Sequence, residues 1–109
     1  MSGSNLFTGT LDLLVLRTVA AEPLHGYGIG KAIRDLSSGV LAVEEGALYP
    51  ALHRLEGKEL LESEWGRTDT GRRAKFYRIT ASGRAHLAAE RERWAEHAQA
   101  VAAVLDGAV

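Results

Sequence analysis

The sequence predicts a mainly α-helical fold that carries one small β-hairpin and ends in a long helix. Three observations predict it. Apolar residues recur at helical spacing after Thr10, after Glu45 and after Thr80. Two short strand-like runs flank Thr68-Asp69-Thr70-Gly71, which has the composition of a tight turn. Pro23 and the Ser37-Ser38-Gly39 word cut the remainder into helix-sized pieces. With 109 residues, the chain is long enough for one domain with a modest core.

Residues 1–9 hold no periodic pattern and read as a flexible N-terminus. Thr10 has the chemistry of an N-cap, and Asp12 suits the first turn of a helix. Leu11, Leu14, Val15 and Val19 line one side of that helix, while Leu13, Leu16 and Ala20 fill another. A helix apolar around most of its circumference is buried on more than one side, so part of it, Leu11 and Leu14 included, is expected at a subunit interface. Pro23 ends it. His25-Gly26-Tyr27-Gly28 reads as a tight turn, because two glycines permit backbone angles that other residues resist. A second helix is expected from Gly28 to Leu36, and a third from Glu45 to Lys58. Leu60 to Trp65 and Ala74 to Ile79 are the strands. Thr80 then caps a helix to about Leu105, roughly 39 Å at ~1.5 Å per residue, longer than so small a domain can cover.

Composition excludes several classes. Apolar residues make up 46% and charged residues 25%, ordinary values for a folded domain. No apolar run approaches the ~20 residues of a membrane span. The first residues lack the basic region of a secretory signal. Without cysteine there is neither a disulfide nor a thiolate metal site. The expectation is a cytoplasmic protein without membrane association. Net charge is −1, but its distribution is uneven: Gly66 to Arg84 holds six basic residues against Asp69 alone. Such segregation gives the protein a directed positive face.

The third helix has two unlike sides. With Leu48 at zero and ~100° per residue, Leu52 and Leu55 fall within about 40° and form the core stripe. Gly46, Tyr49, Pro50 and His53 fall on the opposite half. A solvated face would normally carry lysine and glutamate. This one offers close backbone approach at Gly46 and hydrogen-bonding rings at Tyr49 and His53, which suits the floor of a DNA major groove. Beside it, Arg67, Arg72, Arg73 and Lys75 sit on the hairpin, with Arg54 and Lys58 nearby, as candidate phosphate contacts. Tyr27 is expected to anchor its turn or touch the DNA backbone. Helix, turn, helix and hairpin in this order make a winged helix-turn-helix, whose third helix reads base edges.

These words also carry a resemblance. Gly9-Thr10-Leu11-Asp12, His25-Gly26-Tyr27-Gly28, the run from Glu45 through Leu48-Tyr49-Pro50 to Glu56, Glu64-Trp65-Gly66, Arg72-Arg73, Phe76 to Thr80, Ser82-Gly83 and Trp94 are similar to the PadR-like family of bacterial transcriptional regulators. The match spans residues 9 to about 105. The resemblance implies a winged helix-turn-helix domain with a C-terminal dimerisation helix, acting mostly as a homodimeric repressor released by a small, often aromatic, effector. The chain resembles the short members with a single C-terminal helix. The implied organisation is a DNA-binding domain over 10–79 and a dimerisation helix over 80–109.

The last helix leads to a dimer independently. Leu87, Trp94, Ala98, Val101 and Leu105 lie within roughly 40° of one line, a narrow seam that calls for a partner helix. Glu90 and Arg91 flank it and are placed to form ion pairs across such an interface. A two-fold dimer would set two third helices about one DNA turn apart, ~34–36 Å, on a palindromic operator. Trp94, in the middle of the seam, is the candidate effector contact. No metal site is expected: His86 and Glu90 lack a third ligand. No cofactor fingerprint, nucleophile motif or phosphate-cradling loop is present, so no enzyme is expected. Two other readings compete, a winged-helix protein-interaction module without DNA binding and a small-molecule-sequestering protein.

Overall fold

A computed structural model describes residues 3–107. Its first helix, α1, spans Gly3–Ala21 and so begins well before Thr10. The expected loose segment is therefore helical from Gly3, and Thr10 lies inside the helix rather than capping it; residues 1 and 2 fall outside the described residues. The reason is physical. No proline interrupts this stretch, and one glycine costs only about 1 kcal/mol, so a helix anchored further along can extend backward. The anchor is Val15, Leu16 and Val19, all buried. Leu11 and Leu14 are partly buried against this same core, which takes up part of the surface expected to meet another subunit.

Leu24–His25 forms a short strand, β1, instead of leading into a turn. Helix α2 follows at once as Gly26–Leu36. His25 is its N-cap: the ring Nδ1 accepts a hydrogen bond from the Gly28 N–H at 2.9 Å. Gly26 and Gly28 are thus the first turn of a helix, and neither has a positive φ. The helix stops where expected, with Ser38 and Gly39 in left-handed conformations at φ 55° and 83°.

Helix α3, Glu45–Gly57, buries Leu48, Ala51, Leu52 and Leu55, with Lys58 as its C-cap. Strands β2, Leu61–Arg67, and β3, Arg73–Ile79, pair antiparallel from Leu61↔Ile79 to Arg67↔Arg73. Both strands run further toward the hairpin tip than the sequence suggests. β1 pairs with the other edge of β3, so the sheet has three strands in the order β1-β3-β2.

Helix α4 spans Ala81–Asp106. Thr80 caps it by accepting from the Gly83 N–H at 2.9 Å, and its hydroxyl donates to the Glu59 carbonyl at 2.7 Å. Gly83 lies so close to the Leu60 carbonyl that any side chain there would collide with it. The start of α4 is therefore fixed to the turn between α3 and β2. Leu87 is buried in the protomer's own core. That corrects its expected place at a subunit interface: the first turns of α4 pack on α1 and β3. The rest of the helix projects, giving extents of 58 × 29 × 24 Å. No described helix is long and apolar enough to cross a membrane.

Candidate nucleic-acid interface

The buried leucines of α3 fix its orientation, and the opposite side is open. Gly46, Tyr49, Pro50 and His53 are all exposed. Pro50 sits inside the helix. Lacking an N–H, it leaves the helical ladder without a donor for the Gly46 carbonyl, which lies on the same open side. Tyr49 is half-exposed, and its ring rests across the start of α2. A Cβ added at Gly26 would stand 2.6 Å from the Tyr49 hydroxyl oxygen. Glycine at this position thus serves the approach of Tyr49 and not a turn conformation.

The hairpin stands beside this face. Residues 68–72 close its tip, where the Thr68 N–H donates to the Arg72 carbonyl at 2.8 Å. The Arg67 guanidinium donates back to the Gly71 carbonyl at 2.9 Å. Arg73 lies over the Trp65 ring, 4.5 Å from its centre. Lys75 is 3.7 Å from Glu56, which also accepts from the Ser63 hydroxyl, so the C-terminal half of α3 is tied to the hairpin. Arg72 has an exposed side chain with no ion-pair partner among the described residues.

Arg54 departs from expectation. Its guanidinium meets Asp12 of α1 at 2.7 Å, and its Nε is buried without a partner. A group so engaged holds α3 against α1, while 37% of the Arg54 side chain stays exposed. The exposed Lys58 lies at the far end of α3 from Gly46.

Between hairpin, α2 and α3 lies a cleft of about 910 Å³. Tyr27 and Lys31 line it from α2, Glu45 and Tyr49 from α3, and Trp65 and Arg72 from the hairpin. Lys31 is bonded to Asp35 at 2.6 Å, and that hydrogen bond, with the lysine's charge, holds the Asp35 carboxyl below its usual range. Tyr77 also lines the cleft; burial first, then Glu56 and Tyr49, push its phenol pKa upward. Sequence reasoning placed neither Trp65 nor Lys31 in this site. The signal available for Trp65 was a large ring beside Gly66 near a strand end, outside any apolar stripe.

Along distal α4, Trp94, Val101 and Leu105 are exposed and Ala98 is partly covered. Trp94 lies against His97, ring centres 5.8 Å apart. Glu90 pairs with Arg93 on its own helix at 3.3 Å, so the expected use of Glu90 and Arg91 across an interface competes with a local bond.

Comparison with known proteins matches residues 15–89 to the family described as the transcriptional regulator PadR-like family. An uncharacterised protein of Lysinibacillus sphaericus is 32% identical over 107 residues, 98% of each chain. A transcriptional regulator of Mycobacterium tuberculosis is 39% identical over 89 residues, covering 82% of this chain and 79% of its own length. Among solved structures, a PadR family transcriptional regulator from Eggerthella lenta superposes with a TM-score of 0.78 at 33% identity, over 95% of this chain and 88% of the other.

Proposed function

The chain belongs to the PadR-like family of transcriptional regulators, and on that premise we propose that it is a homodimeric repressor that binds a palindromic operator and is released by a small-molecule effector. It is a regulator and not an enzyme. The observation that carries the DNA reading is the uncharged, exposed face of α3 standing next to a basic hairpin. Gly46, Tyr49, Pro50 and His53 read base edges in the major groove. Arg67, Arg72, Arg73 and Lys75 hold phosphates, with Tyr27 at the backbone and Lys58 at the margin. Arg54 has a structural role through Asp12. The projecting half of α4, through Trp94, Ala98, Val101 and Leu105, joins two copies. Trp94 is the candidate effector contact between subunits.

The experiment is a duplex-binding titration on the chain's own upstream region across salt concentrations. Arg72→Gln should weaken binding to every sequence and reduce the salt slope by about one. Tyr49→Ala should instead erase the preference for the upstream duplex over random DNA. Equal losses on all DNA from both variants would contradict this division.

A further inference from the structure

We propose that Thr80 and Glu59 form a rigid joint between the projecting helix α4 and helix α3, and that this joint fixes the spacing of the two operator half-sites. Thr80, Glu59 and Arg84 are then positioning residues, which set specificity without touching DNA. The spacing role rests on the dimeric DNA-binding reading above; the joint itself does not.

The joint is built on two consecutive carbonyls in the turn between α3 and β2. The Thr80 hydroxyl donates to the Glu59 carbonyl at 2.7 Å, and the Thr80 N–H donates to the Leu60 carbonyl at 3.1 Å. The same hydroxyl oxygen accepts from the Gly83 N–H at 2.9 Å. A Cβ at Gly83 would stand 2.1 Å from the Leu60 oxygen, so the first turn of α4 lies directly on this carbonyl. Glu59 has a φ of 61°, a left-handed conformation that a non-glycine residue keeps only where its surroundings hold it. The turn is tied to α3 as well: the Leu60 N–H donates to the Leu55 carbonyl at 2.9 Å, and the Glu59 N–H to the Glu56 carbonyl at 3.0 Å. On the other side, the Arg84 guanidinium donates to the Ala20 carbonyl at the end of α1, at 3.3 Å. Leu87, about one turn further along, is buried in the core. The direction in which α4 leaves the domain is thus set relative to α3 with little slack.

That direction matters because α4 is long. At ~1.5 Å per residue, Trp94 stands roughly 17 Å beyond Gly83. A tilt of about 10° at the joint moves it by roughly 3 Å, close to the ~3.4 Å of one base-pair step. Each copy of a dimer joined through distal α4 contributes one such joint, so the errors of both reach the distance between the two α3 faces. Two added base pairs also turn one half-site by about 70° around the duplex axis. A stiff joint rejects such a site, and a loose one follows it.

Thr80→Val removes the hydroxyl with both of its bonds and keeps the branched shape, and Thr80→Ser restores the hydroxyl. Arg84→Met releases the tie to α1 and replaces Thr80→Val if that variant does not fold. Binding is measured to the inverted repeat selected from a random duplex library, to versions with two base pairs inserted at its centre, and to a duplex holding one half-site. Wild type and Thr80→Ser should lose about tenfold or more on the insertion, and Thr80→Val less than about threefold. Affinity for the single half-site should be equal in all of them, which a general loss of stability would not give. Equal losses on the insertion, or a wild type indifferent to it, would overturn the spacing role. The joint is read without DNA. The chain has no cysteine, so spin labels at Ala47→Cys on α3 and Glu96→Cys on α4 attach only there. With labelled protein diluted in unlabelled protein, the distance distribution should be narrow in the Thr80 background and broad in the Thr80→Val background. Equal widths would overturn the joint. A chain that binds no duplex refutes the DNA reading and the spacing role with it, and the label distances still decide the joint.

Discussion

Arg54 and Arg72 carry the same charge into different surroundings, one ion-paired between helices and the other exposed at the hairpin tip. Arg54 is ion-paired at 2.7 Å with Asp12, whose side chain is only 15% exposed. The pair lies between surface bridges, near zero to 1 kcal/mol, and fully buried ones. Asp12→Asn should therefore lower unfolding free energy in urea by about 1–2 kcal/mol. An unchanged midpoint would remove the pair from the account. Tyr77 supplies a pH signature. Its raised folded pKa means that the unfolded chain releases the phenol proton first. The associated stability is full below the unfolded value of 10.0 and is lost as pH rises toward the folded one. Melting temperature should fall more steeply above about pH 10 in wild type than in Tyr77→Phe. Parallel curves would contradict this. At this scale sequence legibility is uneven. Exposure of the Gly46–Tyr49–Pro50–His53 face follows from helical angles alone. The Asp12–Arg54 pair does not, because it joins residues 42 apart on different helices, and local periodicity carries no information on such a contact.

Elements followed the sequence where a single strong signal specified them. Thr80 is the cap of α4, and the leucine stripe of α3 is its buried side. Elements set by tertiary contact carry no such local signal. β1 is only Leu24–His25, too short for an alternation pattern, and exists because β3 offers a free edge. α1 reached back to Gly3 because its core half is anchored. The glycine pair before α2 suggested a turn, while the structure uses Gly26 for the approach of Tyr49. Thr80 is the element-scale test. Its oxygen caps α4 and its hydroxyl also ties Glu59, so Thr80→Ala should cost about 1–2 kcal/mol of stability. A loss below about 0.3 kcal/mol in chemical denaturation would show that the clamp is not stabilising.

The whole molecule is a small domain with one helix too long for it. The narrow seam of α4 splits in two: Leu87 closes the protomer's core, whereas Val101 and Leu105 stay exposed. Periodicity located the seam but gave no sign of where the core ends, because a single stripe serves both purposes. If the exposed half joins two copies, Val101→Asp with Leu105→Asp should yield a monomer by sedimentation while far-ultraviolet dichroism stays near wild type. A wild-type monomer would contradict the dimer. The dimer and the α3 face together make a claim about DNA itself. Selection from a random duplex library at physiological salt tests it most directly. The expected result is enrichment of inverted repeats with half-site centres about 10–10.5 base pairs apart or a multiple of that. Recovery of no enriched sequence, or of sites without two-fold symmetry, would contradict it.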